Sequence, residues 1–171
     1  DFMATPTGPL VGYRVLDLGG PLSLHCTKLL ADMGADVIKV EPPAGDESRR
    51  MPPFKDDTPH PEKSLYFLHF NTNKRAITLD VTKPDGREIL LELCKKVDVV
   101  IETQRPSRAK ELRLTYQDLS SVNPALTVAS ITPFGQSGPW RDYKANDMAG
   151  IALGNLLYLA GEPGEPPLQP P

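Results

Sequence analysis

Short apolar runs along this chain alternate with segments whose apolar residues recur at helical spacing. Tyr13-Arg14-Val15-Leu16-Asp17-Leu18 reads as a short buried strand, closed by the turn residues Gly19-Gly20-Pro21. From Leu22 onward, Leu22, Cys26, Leu29, Leu30 and Met33 recur at the spacing of a helix face, and Gly34 supplies a stop. Asp36-Val37-Ile38-Lys39-Val40 is a second strand. A strand–helix–strand unit this compact predicts a parallel pair with a right-handed crossover.

The alternation continues. Pro42–Pro61 is a polar, proline-rich excursion, and a loop this long inside a domain is either functional or disordered. Ser64–Phe70 is apolar and aromatic, and Ala76–Asp80 is a third strand. Thr82-Lys83-Pro84-Asp85 opens a helix with Thr82 as its cap and Pro84 in the first turn. That helix runs to about Lys96 and turns Ile89, Leu90, Leu93 and Cys94 to the core. Val97–Ile101 is the next strand, Thr115–Asp118 caps a short helix that Asn123-Pro124 ends, and Thr127–Ile131 is a fifth strand. After the glycine-rich Phe134–Trp140 loop, Asn146–Leu159 reads as a last helix. The pattern predicts an α/β fold, a doubly wound, Rossmann-like parallel sheet flanked by helices. Residues 1–160 form the domain, with a Pro-rich insertion at 42–63, and 161–171 form a Pro/Gly tail or the start of a linker.

Composition narrows the function classes. The net charge is −3, without a basic run interleaved with aromatics, so nucleic acid is not an expected partner. No stretch approaches the length of a membrane span, and Asp1–Gly8 lacks the features of a signal peptide, so a cytoplasmic protein is expected. Cys26 and Cys94 fall in apolar helical patterns and read as buried free thiols. His25, His60 and His69 are scattered, and no metal site is expected.

Few motifs carry chemistry directly. Gly19-Gly20 stands between a strand and a helix, where an anion could bind, but the full dinucleotide glycine pattern is missing. His25 and Cys26 would diverge on a helix, and Gly135-Gln136-Ser137-Gly138 lacks the spacing of a nucleophile elbow. Lys74, Arg75, Arg105, Arg108 and Lys144 lie at element boundaries; they are either solvated surface charges or the dispersed cations that a polyphosphate ligand needs.

An ordered set of motifs shifts the balance between those readings. Pro9–Leu18, Cys26–Pro43 (CTKLLADMGADVIKVEPP), Asn71–Asp80 (NTNKRAITLD), Pro84–Leu90 (PDGREIL) and Asp98–Glu102 resemble the family III CoA-transferases of the CaiB/BaiF type. Asn123-Pro124, Phe134–Pro139 (FGQSGP) and Leu159–Pro163 continue the resemblance, which covers residues 9–168. It implies the N-terminal part of a larger, two-domain interlocked fold and a homodimer. It implies an acyl-CoA:carboxylate CoA-transferase acting through an aspartyl anhydride, with acyl-CoA and a small carboxylic acid as substrates and no bound cofactor. In the family the nucleophilic aspartate follows the Leu159–Pro167 stretch, so it is expected beyond Pro171, no catalytic residue is expected in this segment, and the segment alone is expected to be inactive. Asp147 matches a supporting active-site carboxylate. Leu79, Asp80, Val81, Thr82, Thr103, Gln104, Arg105 and Lys144 match CoA-contact positions.

The departures from the family pattern matter too. Gly20–Leu24 replaces an Ala-Gly-Pro turn, Thr103-Gln104 replaces Asn-Phe, and Glu111 replaces an arginine, which would repel a phosphate. These changes suggest altered CoA binding. They keep open a second reading, a non-catalytic CoA- or nucleotide-binding half of a tandem or heteromeric assembly. A third, a CoA-dependent racemase, is disfavoured because Asn146 stands where such enzymes carry a histidine.

Overall fold

A computed structural model describes residues 7–162, 164–166 and 168. Among them five parallel strands form one sheet in the order β3-β2-β1-β4-β5. The strands are β1 (Arg14–Asp17), β2 (Asp36–Glu41), β3 (Arg75–Thr78), β4 (Val99–Glu102) and β5 (Thr127–Ser130). The chain winds outward from β1 to β3, then returns to place β4 on the other side of β1. The strand order therefore reverses between β1 and β4, and in such sheets ligands bind outside the carboxyl ends of the strands at that point.

The central strands β1 and β4 are buried on both faces, which is why Val15-Leu16 and Val99-Val100-Ile101 are unbroken apolar runs, whereas the edge strand β3 is largely exposed. Successive residues of one strand serve opposite layers. Leu16 and Val100 pack with Leu90 and Cys94 of α3 (Pro84–Cys94), with Leu119 of α5 (Tyr116–Ser120) and with Leu114 and Leu126. Val15 and Ile101 pack on the other side with Ala31 of α1 (Leu24–Asp32), Ala35 and Val37.

Several expectations need correction. The stripe that α1 buries is Leu24, Thr27 and Ala31, while Leu22, Leu29 and Met33 stay exposed. Small residues bring the helix close to the sheet, and Thr27 is drawn inward by a hydrogen bond from Lys74. Cys26 consequently faces outward, whereas Cys94 is buried and its thiol is pushed up to about 11 by burial. The cap of α3 is Lys83, with Pro84 in the first turn, because Thr82 is bonded to the carboxylate of Asp80 instead. Ile89 is half exposed rather than core-facing.

Other elements were unexpected or shorter. Ser64–Phe70 gives α2 (Leu65–Phe70), with the Ser64 hydroxyl accepting from Phe67 N–H. A helix not expected from the sequence, α4 (Pro106–Glu111), follows β4, started by Pro106 at its first position. The last helix is short: α6 (Asp147–Leu153) is capped by Asn146 and stops at Gly154 and Asn155, the latter left-handed, before a 3-10 turn at Leu156–Leu159. The Pro42–Pro61 excursion is ordered around 3-10 turns at Glu47–Arg50 and Lys55–Asp57. Of the tail, 163, 167 and 169–171 lie outside the described residues, as do 1–6.

Candidate functional site

The turn after β1 is not an anion cradle. Gly19 N–H donates to Oδ1 of the buried Asp17 at 3.1 Å, and Gly20 N–H donates to Thr103 Oγ1 at 2.9 Å. The Gly19 carbonyl accepts from Lys39 Nζ at 2.9 Å. A Cβ on Gly19 would stand 1.9 Å from Ser23 Oγ, so this close turn requires glycine for a packing reason.

A buried network of charges lies beside that turn. Lys39 Nζ is 2.9 Å from Asp46 and 4.0 Å from Asp17. Lys74 Nζ is 3.3 Å from Asp17 and donates to Thr27 Oγ1 at 2.7 Å and Asn71 Oδ1 at 3.0 Å. The charges balance: two lysines meet two aspartates. Burial works against the Asp46 carboxylate, but Lys39 and the Ser48 hydrogen bonds hold it below its ordinary range. For Lys74 burial prevails and its ammonium is pulled down. Arg49 extends the network with a fork onto Glu41, at 2.6 and 2.8 Å, while its guanidinium lies 3.8 Å over the Phe67 ring. That fork is the main reason the Glu41 carboxyl lies below its usual value. Arg75 pairs with Asp36. Lys74 and Arg75, both candidate ligand cations, are thus already committed within the protein.

The region between α3 and α4 is different. A cleft of about 590 Å³ lies between the start of α3 and the end of α4, lined in part by Val81, Thr82, Lys83, Arg87, Glu111 and Arg113. Lys83, Arg87 and Arg113 make no ion pair with any described residue. Arg87 is partly buried, donates only weakly, to the Leu112 carbonyl at 3.4 Å, and its charge is disfavoured by burial. Glu111, expected to repel a phosphate, is paired with Arg108 one turn earlier on α4. The lining sets Lys83, Arg87, Arg108 and Arg113 against Glu88 and Glu111, so the cleft still carries a cation surplus.

The expected CoA positions separate into groups. Val81 and Thr82 line the cleft. Leu79 packs against the core, and Asp80 holds Thr82. Thr103, Gln104 and Arg105 are outside the lining: Thr103 ties the glycine turn, Gln104 N–H bonds Glu102, and Arg105 donates to the Asp142 carbonyl at 2.9 Å. Lys144 and Asp147 are exposed, Asp147 in the first turn of α6. The sequence reading missed Lys83, Arg87 and Arg113, although the four-residue spacing of Lys83 and Arg87 is that of neighbours on one helix face. Among the described residues no group of His, Cys, Asp and Glu is placed to hold a metal ion, and no helix is long and apolar enough to cross a membrane.

Fold and cleft together define a doubly wound α/β domain with a cleft lined by several basic side chains between α3 and α4. The chain belongs to CoA-transferase family III, whose family model matches residues 10–171. It is 40% identical over 159 residues to the succinyl-CoA:(R)-benzylsuccinate CoA-transferase subunit BbsE of Thauera aromatica, covering 93% of this chain and 39% of that protein. It is 38% identical over 169 residues to the acetyl-CoA:oxalate CoA-transferase of Acetobacter aceti, covering 96% of this chain and 41% of that one. In three dimensions it matches a CAIB/BAIF family protein from Brucella suis with a TM-score of 0.86 at 35% identity, over 95% of this chain and 43% of the other. The chain spans about two fifths of the length of these relatives.

Proposed function

We propose that this chain is the CoA-binding part of an acyl-CoA:carboxylate CoA-transferase, and that the nucleotide end of CoA lies in the cleft between α3 and α4. One observation carries the reading: the cleft unites Val81 and Thr82, at family CoA-contact positions, with the unpaired Lys83, Arg87 and Arg113. A phosphate-rich ligand needs such donors, and hydrogen bonds from charged groups are the stronger ones.

In the proposed reaction an aspartate carboxylate, contributed by a segment after Pro171, attacks the thioester carbonyl of the donor. The C–S bond breaks, CoA leaves as a thiolate, and a mixed anhydride remains on the enzyme. The thiolate returns to the aspartyl carbonyl, releases the donor acid and leaves an enzyme-bound thioester. The acceptor carboxylate attacks that thioester, and the same two steps in reverse yield the new acyl-CoA and the free aspartate. Covalent catalysis of this kind keeps the acyl group activated and depends on excluding water. Asp147 is a supporting carboxylate at the start of α6, and Lys144, just upstream, is a cation for the CoA chain. The working form is a homodimer in the cytoplasm.

A second reading, one subunit of a heteromeric transferase, is supported by the relatives described as subunits, BbsE and the alpha and beta subunits of a succinyl-CoA–L-malate CoA-transferase. Titration of the chain with CoA in a calorimeter tests the common core of both readings: saturable binding is expected, and absence of heat at millimolar CoA overturns it. Transfer of CoA from succinyl-CoA to a free acid then separates them. Turnover by the full-length protein alone supports the first, and turnover only with a second subunit supports the other.

A further inference from the structure

Glu102 ends β4 at the switch point and is completely buried. One carboxylate oxygen, Oε2, accepts from Gln104 N–H at 2.6 Å. The other, Oε1, is buried without a hydrogen-bond partner among the described residues, as is Thr132 Oγ1 just beyond the neighbouring strand β5. A half-satisfied buried carboxyl is costly, and retaining one calls for a physical reason.

The reason lies in what the turn after it does. With Gln104 N–H fixed on Glu102, Thr103 presents Oγ1 to Gly20 N–H at 2.9 Å and so ties the turn after β1. Arg105 donates to the Asp142 carbonyl at 2.9 Å, and Ser107 N–H donates to Asp142 Oδ1 at 2.8 Å. These bonds tie the segment that leads into Lys144 and Asp147. Loops following β1, β4 and β5 thus meet at one short turn.

We propose that Glu102 is a positioning residue: by holding the Thr103–Arg105 turn it sets the glycine turn, that turn and the Asp142–Asp147 segment relative to one another. Burial pushes its carboxyl up, although the Gln104 N–H works the other way. A glutamine of the same shape keeps an oxygen to accept from Gln104 N–H, whereas an alanine has none.

The test uses amide hydrogen exchange of the full chain, alongside CoA titration. In Glu102→Ala, exchange at Gln104 and Gly20 rises about tenfold or more, while Val15 and Val100 in the strands keep their protection. Glu102→Gln restores both amides. Thr103→Val frees Gly20 and leaves Gln104 protected, and it covers the case in which Glu102→Ala fails to fold. CoA affinity falls about tenfold in Glu102→Ala and returns in Glu102→Gln, the scale seen when residues supporting a site are removed. Unchanged Gly20 exchange in Glu102→Ala or in Thr103→Val overturns the proposal, as does a Glu102→Gln variant that behaves like alanine. The CoA arm rests on the function proposed above: if the unmodified chain binds no CoA that function fails, and the exchange arm still decides the role of Glu102.

Discussion

Two clusters of charge in this domain obey opposite rules. Towards β2 and β3, Lys39, Lys74, Asp17 and Asp46 are almost fully enclosed, each cation has a carboxylate partner, and the sum is zero. Towards α3 and α4, Lys83, Arg87 and Arg113 line an open cleft without carboxylate partners. Cations matched by the protein's own anions have no capacity left for a ligand and serve the fold. Cations left unmatched beside a cavity lose little in isolation only if a ligand supplies the missing charge. The contrast separates structural from ligand-binding charge more sharply than residue type or motif does, since all of these residues look alike in the sequence.

The largest effect expected from this contrast is on stability. Lys39→Met leaves Asp17 and Asp46 buried with reduced compensation, and breaking one side of a buried pair costs about 3–5 kcal/mol. Urea unfolding measures it. A loss under about 1 kcal/mol would mean that the network is hydrated and not enclosed. Acid probes the same network. The carboxyls of Asp46 and Glu41 lie below their ordinary values in the folded chain. Their contribution is therefore complete above the unfolded carboxyl range, and it is lost as pH falls from about 4.3 through the folded values. Unfolding midpoints recorded between neutral pH and pH 3 should drop in that window, and Glu41→Gln should flatten the drop.

The cleft should behave in the opposite way. Arg87→Ala and Arg113→Ala are each expected to weaken CoA binding about tenfold, the value of one charge-assisted hydrogen bond, with little change in unfolding. Raising the salt concentration should weaken binding to the unmodified chain more than to either variant. Equal losses of stability and affinity would erase the distinction between the two clusters.

The two clusters also differ in how much of them could be read from sequence. The centre of the sheet was legible because β1 and β4 are buried on both faces, so that apolar runs such as Val15-Leu16 and Val99-Val100-Ile101 mark them directly. The capping box of Thr115 and Asp118 was legible because its bonds are local. The face of α1 was not, because the residue that turns Thr27 inward is Lys74, 47 positions away. Lys74 and Arg75 looked like ligand cations for the same reason: their partners, Asp17 and Asp36, are distant in the chain. Pro106 hid a helix because proline reads as a breaker, yet it suits a first helical position, where no N–H is needed. In the cleft, Val81 and Thr82 came from motif resemblance, whereas Arg87 and Arg113 meet only when α3 and α4 pack together.

The smallest expected effect concerns Glu111, one of two carboxylates, with Glu88, that line a cleft otherwise rich in cations. It lines the cleft, but Arg108 sits within ion-pair distance one helical turn away. Both side chains are well exposed, so water screens the pair and its own contribution to stability is close to nothing. What the pair does is electrostatic: it cancels the negative charge that an incoming phosphate would meet. Glu111→Gln removes a charge already neutralised and should raise CoA affinity only about twofold to threefold. Arg108→Gln uncovers the carboxylate and should lower affinity by more than Glu111→Gln raises it, and the double variant should return near the unmodified chain. Calorimetry at low salt measures all three, since at 0.1 M exposed charges more than a Debye length of about 10 Å apart are largely screened. A gain of tenfold or more from Glu111→Gln alone would show that Arg108 does not shield it, and the cleft's cation surplus would then rest on Lys83, Arg87 and Arg113 against an exposed opposing charge.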